Sequence, residues 1–341
     1  MRILVGLSGG VDSAYAAYAL KSNGHEVEGA VLRMHEYTEV DSAIKVADAI
    51  GIPCHVVDLT ERFRESVISN FVKEYSSGRT PNPCIICNPE VKFRGLYDFA
   101  MANSFDKIAT GHYARVAERD GRFALVGAED TAKDQTYMLY RLSQDILSHL
   151  VLPLSNAKKS DIRQTAESLG IIEQGIRDSQ EICFIPDGDY AAYILNGKSF
   201  PEGDFVDGSG AVLGRHKGII HYTVGQRRGL GISLGERAYV ERIDPIANTV
   251  TLSTLPRGNK TVYITDMVYS ALAVPDSQRT LRAAVRLRYR GPMIPATVEL
   301  DTDGGATITL EAHGVMATPG QSAVIYDGST VLAGGFIKSA R

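Results

Sequence analysis

Residues 3–13 read Ile-Leu-Val-Gly-Leu-Ser-Gly-Gly-Val-Asp-Ser, and this stretch decides the fold of the 341-residue chain. The apolar run at residues 3–7 predicts a buried strand, and the alanines and leucine that follow Ser13 predict a helix. Two glycines let the backbone approach an anion closely, and the first N–H groups of the helix point at it. The stretch therefore predicts a phosphate-binding loop at the start of a helix.

The residues around the two glycines indicate which type of phosphate-binding loop this is. Residues 8–13 lack the Gly-Lys-Ser/Thr of a Walker A motif and the Gly-x-Gly-x-x-Gly of dinucleotide sites. The sequence Ser-Gly-Gly-Val-Asp-Ser after a first strand resembles the PP-loop of N-type ATP pyrophosphatases. That resemblance implies cleavage between the α- and β-phosphates of ATP, which leaves AMP on an acceptor oxygen. The alternative is an ordinary strand-to-helix turn with good capping residues.

Strands and helices alternate over the first ~110 residues, which predicts an α/β domain with a parallel sheet. The predicted strands are 2–7, 27–32, 53–59 and 107–110, and the predicted helices are 12–22, 40–50 and one that runs from Thr60 to about Gly78. Ligands of such sheets bind at the carboxyl ends of the strands.

The pattern changes to short alternating strands after residue 187. The predicted strands there are 238–243, 249–253, 281–290, 294–300, 306–311, 322–326 and 330–337. We therefore expect a PP-loop (adenine nucleotide alpha hydrolase-like) domain over residues 1–186, a small middle domain over 187–256 and a β-barrel or sandwich over 257–341.

Composition limits the class of protein. The hydrophobic fraction of 44% is ordinary, and no window reaches the ~18 apolar residues of a membrane helix. The chain enters a strand at once without a leader pattern, so we expect a cytoplasmic protein whose four cysteines are reactive thiols, metal ligands or core residues rather than structural disulfides. The net charge is −4, but residues 257–341 carry nine basic against seven acidic residues, which leaves room for a polyanion partner.

The spacing of the cysteines is, by itself, weak evidence for a function. Cys84 and Cys87 lie in Thr-Pro-Asn-Pro-Cys-Ile-Ile-Cys-Asn, where two prolines predict an extended loop. Cys183 lies in Gln-Glu-Ile-Cys-Phe-Ile, and Cys54 falls inside a predicted core strand. The C-x-x-C could be half a zinc site or a redox dithiol, but no second C-x-x-C or H-x₃₋₅-H accompanies it. The PP-loop would activate an oxygen and the thiols would supply sulfur. Together they fit one reaction, the replacement of that oxygen by sulfur.

Seven blocks occur in order along the chain: SGGVDS, RTPNPCIICN, KIATGHYAR, KDQTYMLYRL, DSQEICFI, YTVGQRRGLG and TPGQSAV. Together they resemble the family of bacterial tRNA-specific 2-thiouridylases, within the PP-loop ATP pyrophosphatase superfamily. The resemblance covers nearly the whole chain. It implies an ATP-dependent sulfurtransferase that makes 2-thiouridine at the wobble position of tRNAs for Glu, Gln and Lys.

The resemblance also implies roles for individual residues. Cys87 would be the catalytic nucleophile, and Cys183 would carry sulfur as a persulfide. The ATP-binding residues would be Gly6, Leu7, Ser8, Gly9, Gly10, Val11, Asp12, Ser13, Leu32 and Gly111. The tRNA-binding residues would be Asn82, Pro83, Cys84, His112, Lys133, Asp134, Gln135, Arg288, Tyr289 and Gln321.

The chemistry needs further components. Adenylation turns the uracil oxygen into a leaving group, and turnover would end in a Cys87–Cys183 disulfide bond. The expected cofactors are ATP and Mg²⁺, with Asp12 as a Mg²⁺ ligand or a helix cap. The expected partners are tRNA and a sulfur-donor protein, either a cysteine desulfurase or a relay. Some relatives carry Asp in place of Cys84, so this chain has three candidate active-site thiols, which could alternatively hold an iron–sulfur cluster.

Four arginines favour an RNA surface. Arg282, Arg286, Arg288 and Arg290 share parity within the predicted strand 281–290, so they would lie on one face. The run Gln226-Arg227-Arg228-Gly229 would add to that surface.

Two alternative functions remain open. One is a PP-loop enzyme acting on a small molecule, which would not need Cys87 and Cys183. The other is a non-catalytic tRNA- or nucleotide-binding protein, which would not convert ATP to AMP.

Overall fold

The computed structural model of the chain describes residues 1–172, 182–197, 199–254, 258–312 and 315–341. Three sheets divide this part of the chain: a parallel sheet, a small mixed sheet and an antiparallel barrel. The predicted fold class is thereby confirmed. The predicted boundary between residues 256 and 257 lies outside the described residues. No helix within the described ranges is long and apolar enough to cross a membrane.

The N-terminal half alternates strands and helices. Its elements are β1 (Arg2–Leu7), α1 (Val11–Ser22), β2 (Glu26–Arg33), α2 (Val40–Ile50), β3 (Cys54–Asp58), α3 (Thr60–Phe63), a π turn (Arg64–Ile68), α4 (Ser69–Ser76), α5 (Pro83–Cys87), a second π turn (Asn88–Lys92), α6 (Phe93–Ala102), β4 (Lys107–Ala109), β5 (Ala114–Arg119), β6 (Arg122–Gly127), α7 (Thr136–Leu139), α8 (Gln144–His149), β7 (Leu150–Val151) and α9 (Lys159–Ser168).

The parallel sheet has the strand order β3-β2-β1-β4-β7. Ile3, Leu4 and Val5 of β1 are fully buried, because helices cover both faces of the sheet. The chain adds β2 and β3 on one side of β1 and β4 on the other, so the direction of winding reverses between β1 and β4. Such a reversal opens a crevice at the carboxyl ends of the two strands, where ligands of open α/β sheets bind. Residues 8–10 and 110–112 line that crevice.

The helix predicted from Thr60 is present, but a π turn interrupts it. The turn at Arg64–Ile68 separates α3 from α4, and the Ser69 hydroxyl donates to the Arg64 carbonyl at 3.1 Å. Phe63, Val67 and Phe71 are buried in one cluster, as the apolar spacing predicts. Tertiary packing therefore keeps the apolar face while the backbone inserts one extra residue.

A β-hairpin inside the N-terminal half belongs to the C-terminal sheet. β5 and β6 pair around Asp120 and Gly121, which both have positive φ, the backbone of a tight hairpin turn. β6 continues to the last strand of the protein, where Val126 is opposite Thr330. This hairpin was not predicted from the sequence, although Asp-Gly between two short apolar runs is a usual signal of a β-hairpin. The hairpin connects the first and third parts of the chain.

The middle part is a small sheet with its own core. It contains α10 (Tyr190–Leu195), β8 (Gly203–Val206), β9 (Val212–His216), a 3₁₀ turn (Ile219–His221), β10 (Tyr239–Asp244) and β11 (Thr249–Ser253). The strand order is β10-β11-β8-β9, and Phe205, Tyr222, Val240 and Val250 form the centre of its core. The strands β10 and β11 were predicted; β8 and β9 were not.

The C-terminal part is a closed barrel. Its strands are β12 (Thr261–Tyr269), β13 (Arg279–Arg286), β14 (Ile294–Leu300), β15 (Ala306–Leu310), β16 (Ser322–Asp327) and β17 (Thr330–Ala340). They pair in the order β12-β15-β14-β13-β16-β17, and β17 pairs back with β12. Closure leaves no free edge among these six strands. The predicted choice of barrel or sandwich is thus resolved as a barrel.

The predicted strand 281–290 is wrong at its C-terminal end. β13 stops at Arg286, and Val285 already lies opposite Ile294 of the next strand. The residues between these two must therefore form the connection, in which the Gly291 N–H donates to the Arg288 carbonyl at 2.9 Å. Arg288 and Arg290 consequently lie on a turn and not on a strand face.

Candidate active site

The glycine-rich loop between β1 and α1 is held by hydroxyl groups. The Ser13 hydroxyl donates to the Gly10 carbonyl at 3.0 Å and accepts from the backbone N–H of Ser8 at 3.1 Å. The Ser8 and Ser13 hydroxyl oxygens are 3.1 Å apart. Gly10, the N-cap of α1, provides no side-chain cap. The first N–H groups of this 12-residue helix are therefore available to an anion, as predicted.

Two glycines in this region tolerate no side chain. Gly9 has φ +76°, and a Cβ there would lie 2.7 Å from Cβ of Ser42. A Cβ on Gly111 would lie 2.5–2.6 Å from three backbone atoms of Asp12 and Ser13. The segment after β4 therefore presses directly on the first turn of α1. These contacts fit a site in which backbone surrounds a phosphate chain.

Asp12 is bound by two neighbours. Its Oδ2 atom accepts from Lys159 Nζ at 2.6 Å, and its Oδ1 atom accepts from the Tyr113 hydroxyl at 2.7 Å. It makes no helix cap, so the capping alternative is wrong. Within the described ranges, no group of three or more His, Cys, Asp or Glu residues is arranged to hold a metal ion. Asp12 thus joins α1 to α9 and to the residue before β5. Leu32, one of the residues that the resemblance assigns to ATP binding, is a buried residue of β2.

The cysteine loop begins a short helix. The Asn82 side chain caps α5, because its Oδ1 atom accepts from the Cys84 N–H at 3.1 Å, and Pro83 occupies the first helical position. The π turn that follows contains Pro89, which cannot donate a helical hydrogen bond. Proline at this position explains why the helix widens into a π turn just after Cys87.

Three of the four cysteines lie in or near α5. Cys84 and Cys183 are exposed, Cys87 is buried, and all four thiols are free. Burial, with smaller contributions from the nearby Cys84 and Cys183, raises the pKa of the Cys87 thiol to about 12. Desolvation by the surrounding protein atoms also raises the pKa of Cys183, although this residue is exposed to solvent, and Cys84 contributes in the same direction. Cys54 belongs to a separate core cluster around α1 and α2. The cysteines that the sequence assigned to one reaction are therefore neighbours.

Lys92 supplies positive charge to this group. Its charge lowers the pKa of Cys87 and Cys183 against the effect of burial, and its backbone N–H also lowers the pKa of Cys87. No partner of the Lys92 ammonium is found in the part of the chain that the structure describes. An unpaired cation beside thiols stabilises thiolate or persulfide anions.

The structure predicts a slow reaction of Cys87 with alkylating agents in the absence of RNA. At pH 8 a thiol of pKa about 12 is ionised roughly a thousandfold less than an ordinary cysteine of pKa about 8.5. Iodoacetamide should therefore label Cys87 about a thousandfold more slowly than free cysteine. The rate of labelling should rise about tenfold for each unit by which the pH is raised. Peptide mass spectrometry measures the rates, with urea-unfolded protein as the control. Native labelling of Cys87 at the unfolded rate would contradict the buried, protonated thiol.

The predicted tRNA-contacting residues fall into two groups. Asn82, Pro83 and Cys84 lie at the start of α5, and Tyr289 is close enough for Cys84 to raise its pKa, although burial is the larger cause. Arg288 is exposed on the adjacent turn. Lys133 lies on a turn before α7, with an N–H bond to the Asp130 carbonyl. This first group surrounds the three cysteines or lies on the protein surface.

The second group is engaged within the protein. The Asp134 carboxylate accepts from Thr136 and pairs with Arg286 at 3.5 Å. Gln135 exchanges hydrogen bonds with the Tyr113 backbone. Gln321 Nε2 donates to the Thr80 carbonyl at 2.8 Å. Burial lowers the pKa of His112 to about 3, so its ring is neutral and packs on Phe93. These side chains are therefore held by contacts within the protein and help to fix the shape of the site.

The predicted arginine face is not continuous. Arg282 is exposed and pairs with Glu311 at 3.3 Å. Arg286 is largely buried, with its guanidinium near Asp134 and over the Tyr326 ring. Only Arg288 and Arg290, on the turn after β13, extend freely toward solvent. A single strand face carrying four RNA contacts is therefore excluded.

Sequence reasoning did not identify Lys92, Lys159 and Thr80 as parts of the site. Lys92 follows Cys87 by five residues, so a cation on the helix after a C-x-x-C was the available signal. Lys159 contacts Asp12 from 147 residues away, a contact with no local signal. Thr80 joins three parts of the molecule: its N–H donates to the Pro319 carbonyl, its carbonyl accepts from Gln321, and its hydroxyl meets that of Thr223. The residues 178–181 of the predicted Cys183 block lie outside the described residues.

Comparisons with known proteins cover the whole chain. Residues 1–187 match a family model described as "tRNA methyl transferase HUP domain", residues 191–254 match "tRNA methyl transferase PRC-barrel domain", and residues 259–337 match "Aminomethyltransferase beta-barrel domain". The chain is 41% identical to "tRNA-specific 2-thiouridylase MnmA 1" of Clostridium botulinum (strain Loch Maree / Type A3), with 99% of both chains covered. It is 39% identical to the "tRNA-specific 2-thiouridylase MnmA" of Clostridium acetobutylicum, again with 99% of both covered. A solved 4-thiouridine synthetase–RNA complex with bound ATP covers 50% of this chain and 41% of its own at 18% identity and TM-score 0.37, a similarity too low to bear on function.

Proposed function

This chain belongs to the tRNA-specific 2-thiouridylase family, and on that premise we propose that it is an ATP-dependent tRNA sulfurtransferase that converts the wobble uridine of tRNAs for Glu, Gln and Lys into 2-thiouridine. The observation that carries the proposal is the proximity of Cys183 to Cys84 and Cys87 of α5, in a protein with an open phosphate loop at its sheet's switch point. Since tRNA and reduced thiols are cytoplasmic, we propose the cytoplasm as its compartment.

The phosphate loop would perform the activation step. The uncapped N-terminus of α1 and the Ser8 and Ser13 hydroxyls offer donors to the phosphates of ATP, and Leu32 supplies an apolar neighbour for adenine. Mg²⁺ would accompany ATP as its counter-ion. Attack of the uracil O2 oxygen on the α-phosphate releases pyrophosphate and forms an adenylated uridine. The carbon at position 2 then carries AMP as a leaving group.

The thiols would perform the sulfur step. A sulfur-donor protein loads Cys183, whose exposure leaves it accessible to another protein. The terminal sulfur of the persulfide attacks C2, AMP leaves, and a C2–S–S–Cys183 bond remains. The Cys87 thiolate then attacks the Cys183 sulfur, which releases 2-thiouridine and leaves a Cys87–Cys183 disulfide for an external thiol to reduce.

The state of Cys87 sets a condition for this step. Its thiol is buried and strongly protonated, whereas the attack needs a thiolate in contact with Cys183. Entry of the uridine beside Asn82 and Cys84 would have to move α5 so that Cys87 meets Cys183. The Lys92 ammonium would then stabilise the thiolate. An iron–sulfur cluster on Cys84, Cys87 and Cys183 stays the alternative mechanism.

The test is direct. The purified protein is incubated with ATP, a persulfide donor and unmodified tRNA, and the nucleosides are separated by mass. We expect 2-thiouridine together with one AMP and one pyrophosphate per modified base. A methylated uridine without ATP consumption would instead support the activity in the family model's description. ATP consumption with a small acceptor and no tRNA product would support a small-molecule PP-loop enzyme. Iron and absorbance after anaerobic purification test the cluster alternative.

A further inference from the structure

The segment between the 3₁₀ turn and β10 forms a cleft rich in arginine. We call residues 226–238 the arginine loop. It contains no helix or strand and lines a cleft of about 590 Å³. The residues that line this cleft are Arg227, Arg228, Gly229, Leu230, Gly231, Ile232, Ser233, Leu234, Glu236, Arg237 and Ala238.

The arginine loop is anchored by its apolar residues. Leu230 is buried in the core of the middle sheet, and Ile232 and Leu234 pack against the same core. The Leu230 carbonyl accepts from the buried Tyr222 hydroxyl at 3.4 Å, and Gln226 Nε2 donates to the Arg228 carbonyl at 3.0 Å. The backbone of the loop is therefore fixed while its charged side chains face outward.

The arginines of the loop lack carboxylate partners. Arg227, Arg228 and Arg237 are exposed, and none of them pairs with an acid anywhere in the described chain. Glu236 also lines the cleft, so the cleft keeps a net charge of +2. Three exposed arginines elsewhere are paired, Arg119 with Asp327, Arg215 with Asp204, and Arg282 with Glu311, whereas Arg288 and Arg290 on the turn after β13 are exposed like those of the loop. Unpaired charge of one sign around a cleft attracts an ion of the opposite sign.

The arginine loop is tied to the cysteine site by a short path. Thr223, four residues before Arg227, meets the Thr80 hydroxyl at 3.1 Å. Thr80 lies two residues before Asn82, which caps the helix that carries Cys84 and Cys87. Four residues span at most about 14 Å of chain, so the loop lies within reach of a nucleic acid whose base enters the cysteine site.

We propose that the arginine loop binds the sugar–phosphate backbone of the tRNA arm that delivers the target uridine. The inference rests on the proposed function, which supplies tRNA as the polyanion. Guanidinium groups bind phosphate oxygens through two parallel hydrogen bonds, and a fixed loop loses little conformational freedom when it does so. Sequence reasoning placed the basic surface on β13 with residues 226–229 as an addition; here the arginine loop, with Arg237, is a phosphate-binding surface in its own right.

The test compares two triple variants with equal changes of charge. The loop variant is Arg227→Gln, Arg228→Gln and Arg237→Gln. The matched control is Arg119→Gln, Arg215→Gln and Arg282→Gln, which removes three exposed but paired arginines. Binding of unmodified tRNA is measured from 0.05 to 0.3 M KCl. We expect the loop variant to lower the slope of log K against log salt by about 2 and to weaken binding by at least about tenfold at 0.1 M, and the control to change the slope by less than about 1.

Further variants separate the possible outcomes. Replacement of the three loop arginines by lysine keeps the charge and should retain the wild-type slope to within about one. A thermal unfolding midpoint equal to that of the wild type would show that the loop variant is folded. Equal effects of the two glutamine triples, or an unchanged slope in the loop variant, would overturn the inference. If the wild type still forms 2-thiouridine in that case, only the inference fails; if the wild type neither binds nor thiolates tRNA, both fail.

Discussion

Replacement of Cys87 by serine should reduce formation of 2-thiouridine at least about a thousandfold, while adenylation of tRNA continues. A hydroxyl cannot attack the Cys183 sulfur, because alcohols remain protonated and are poor nucleophiles toward disulfides. Without reductant, the reaction should stop at tRNA joined to Cys183 through a C2–S–S bond. Non-reducing electrophoresis measures the joined species, and release of pyrophosphate measures the first step.

The controls use the other cysteines. Cys183→Ser should abolish the product and also the joined species, because no persulfide forms. Cys54→Ser should keep wild-type turnover, since Cys54 lies on β3 in a separate core cluster. Full production of 2-thiouridine by the Cys87→Ser protein would remove Cys87 from the mechanism. Equal loss of pyrophosphate release in Cys87→Ser and Cys183→Ser would show that the thiols act before adenylation.

Replacement of Gly111 by alanine should weaken ATP binding at least about tenfold and lower thiolation about a hundredfold. The new methyl group would lie 2.5–2.6 Å from the carbonyl carbon and oxygen of Asp12 and the nitrogen of Ser13. Backbone atoms must move to relieve such contacts, at a cost of about 1–3 kcal/mol in stability. The displaced first turn of α1 would misdirect its N–H donors, and misplacement of about 1 Å costs about a hundredfold in rate.

Calorimetric titration with ATP and single-turnover thiolation measure these effects. Gly208→Ala is the matched control, because nothing lies within 4 Å of a Cβ there. That variant should keep wild-type ATP affinity and turnover. Wild-type ATP affinity in Gly111→Ala would show that the segment after β4 does not shape the nucleotide site.

Local sequence patterns predicted the parallel sheet and its loop well. β1, α1, α2 and the start of the helix at Thr60 follow from apolar spacing and from glycines at turns. Sequence reasoning also identified the neighbouring cysteines, but only through the resemblance. It extended β13 past Arg286, because the alternation of side chains continues through residue 290 although the hairpin partner does not. Periodicity records which side chains alternate and says nothing of where a pairing strand ends.

Long-range contacts explain the remaining differences. Asp134 and Arg286 were both assigned to RNA, yet they pair with each other across 152 residues. Lys159 holds Asp12 in the same manner. Each of these residues looks like a solvent-facing charge in its own segment. Only the packed fold shows which charges are already paired and which, as in the arginine loop, stay available.

The hairpin of β5 and β6 has a consequence for synthesis of the protein on the ribosome. β6 pairs with β17, the last strand, and the Gly127 N–H donates to the Ser329 carbonyl at 2.8 Å. At roughly 5–20 residues per second, the hairpin waits about 10–40 s for the roughly 200 residues that separate it from its partner strand. During that time its edge is unpaired and open to pairing with other nascent chains. The first domain to emerge is therefore the last to be completed, and protection of the unpaired hairpin edge matters most before translation ends.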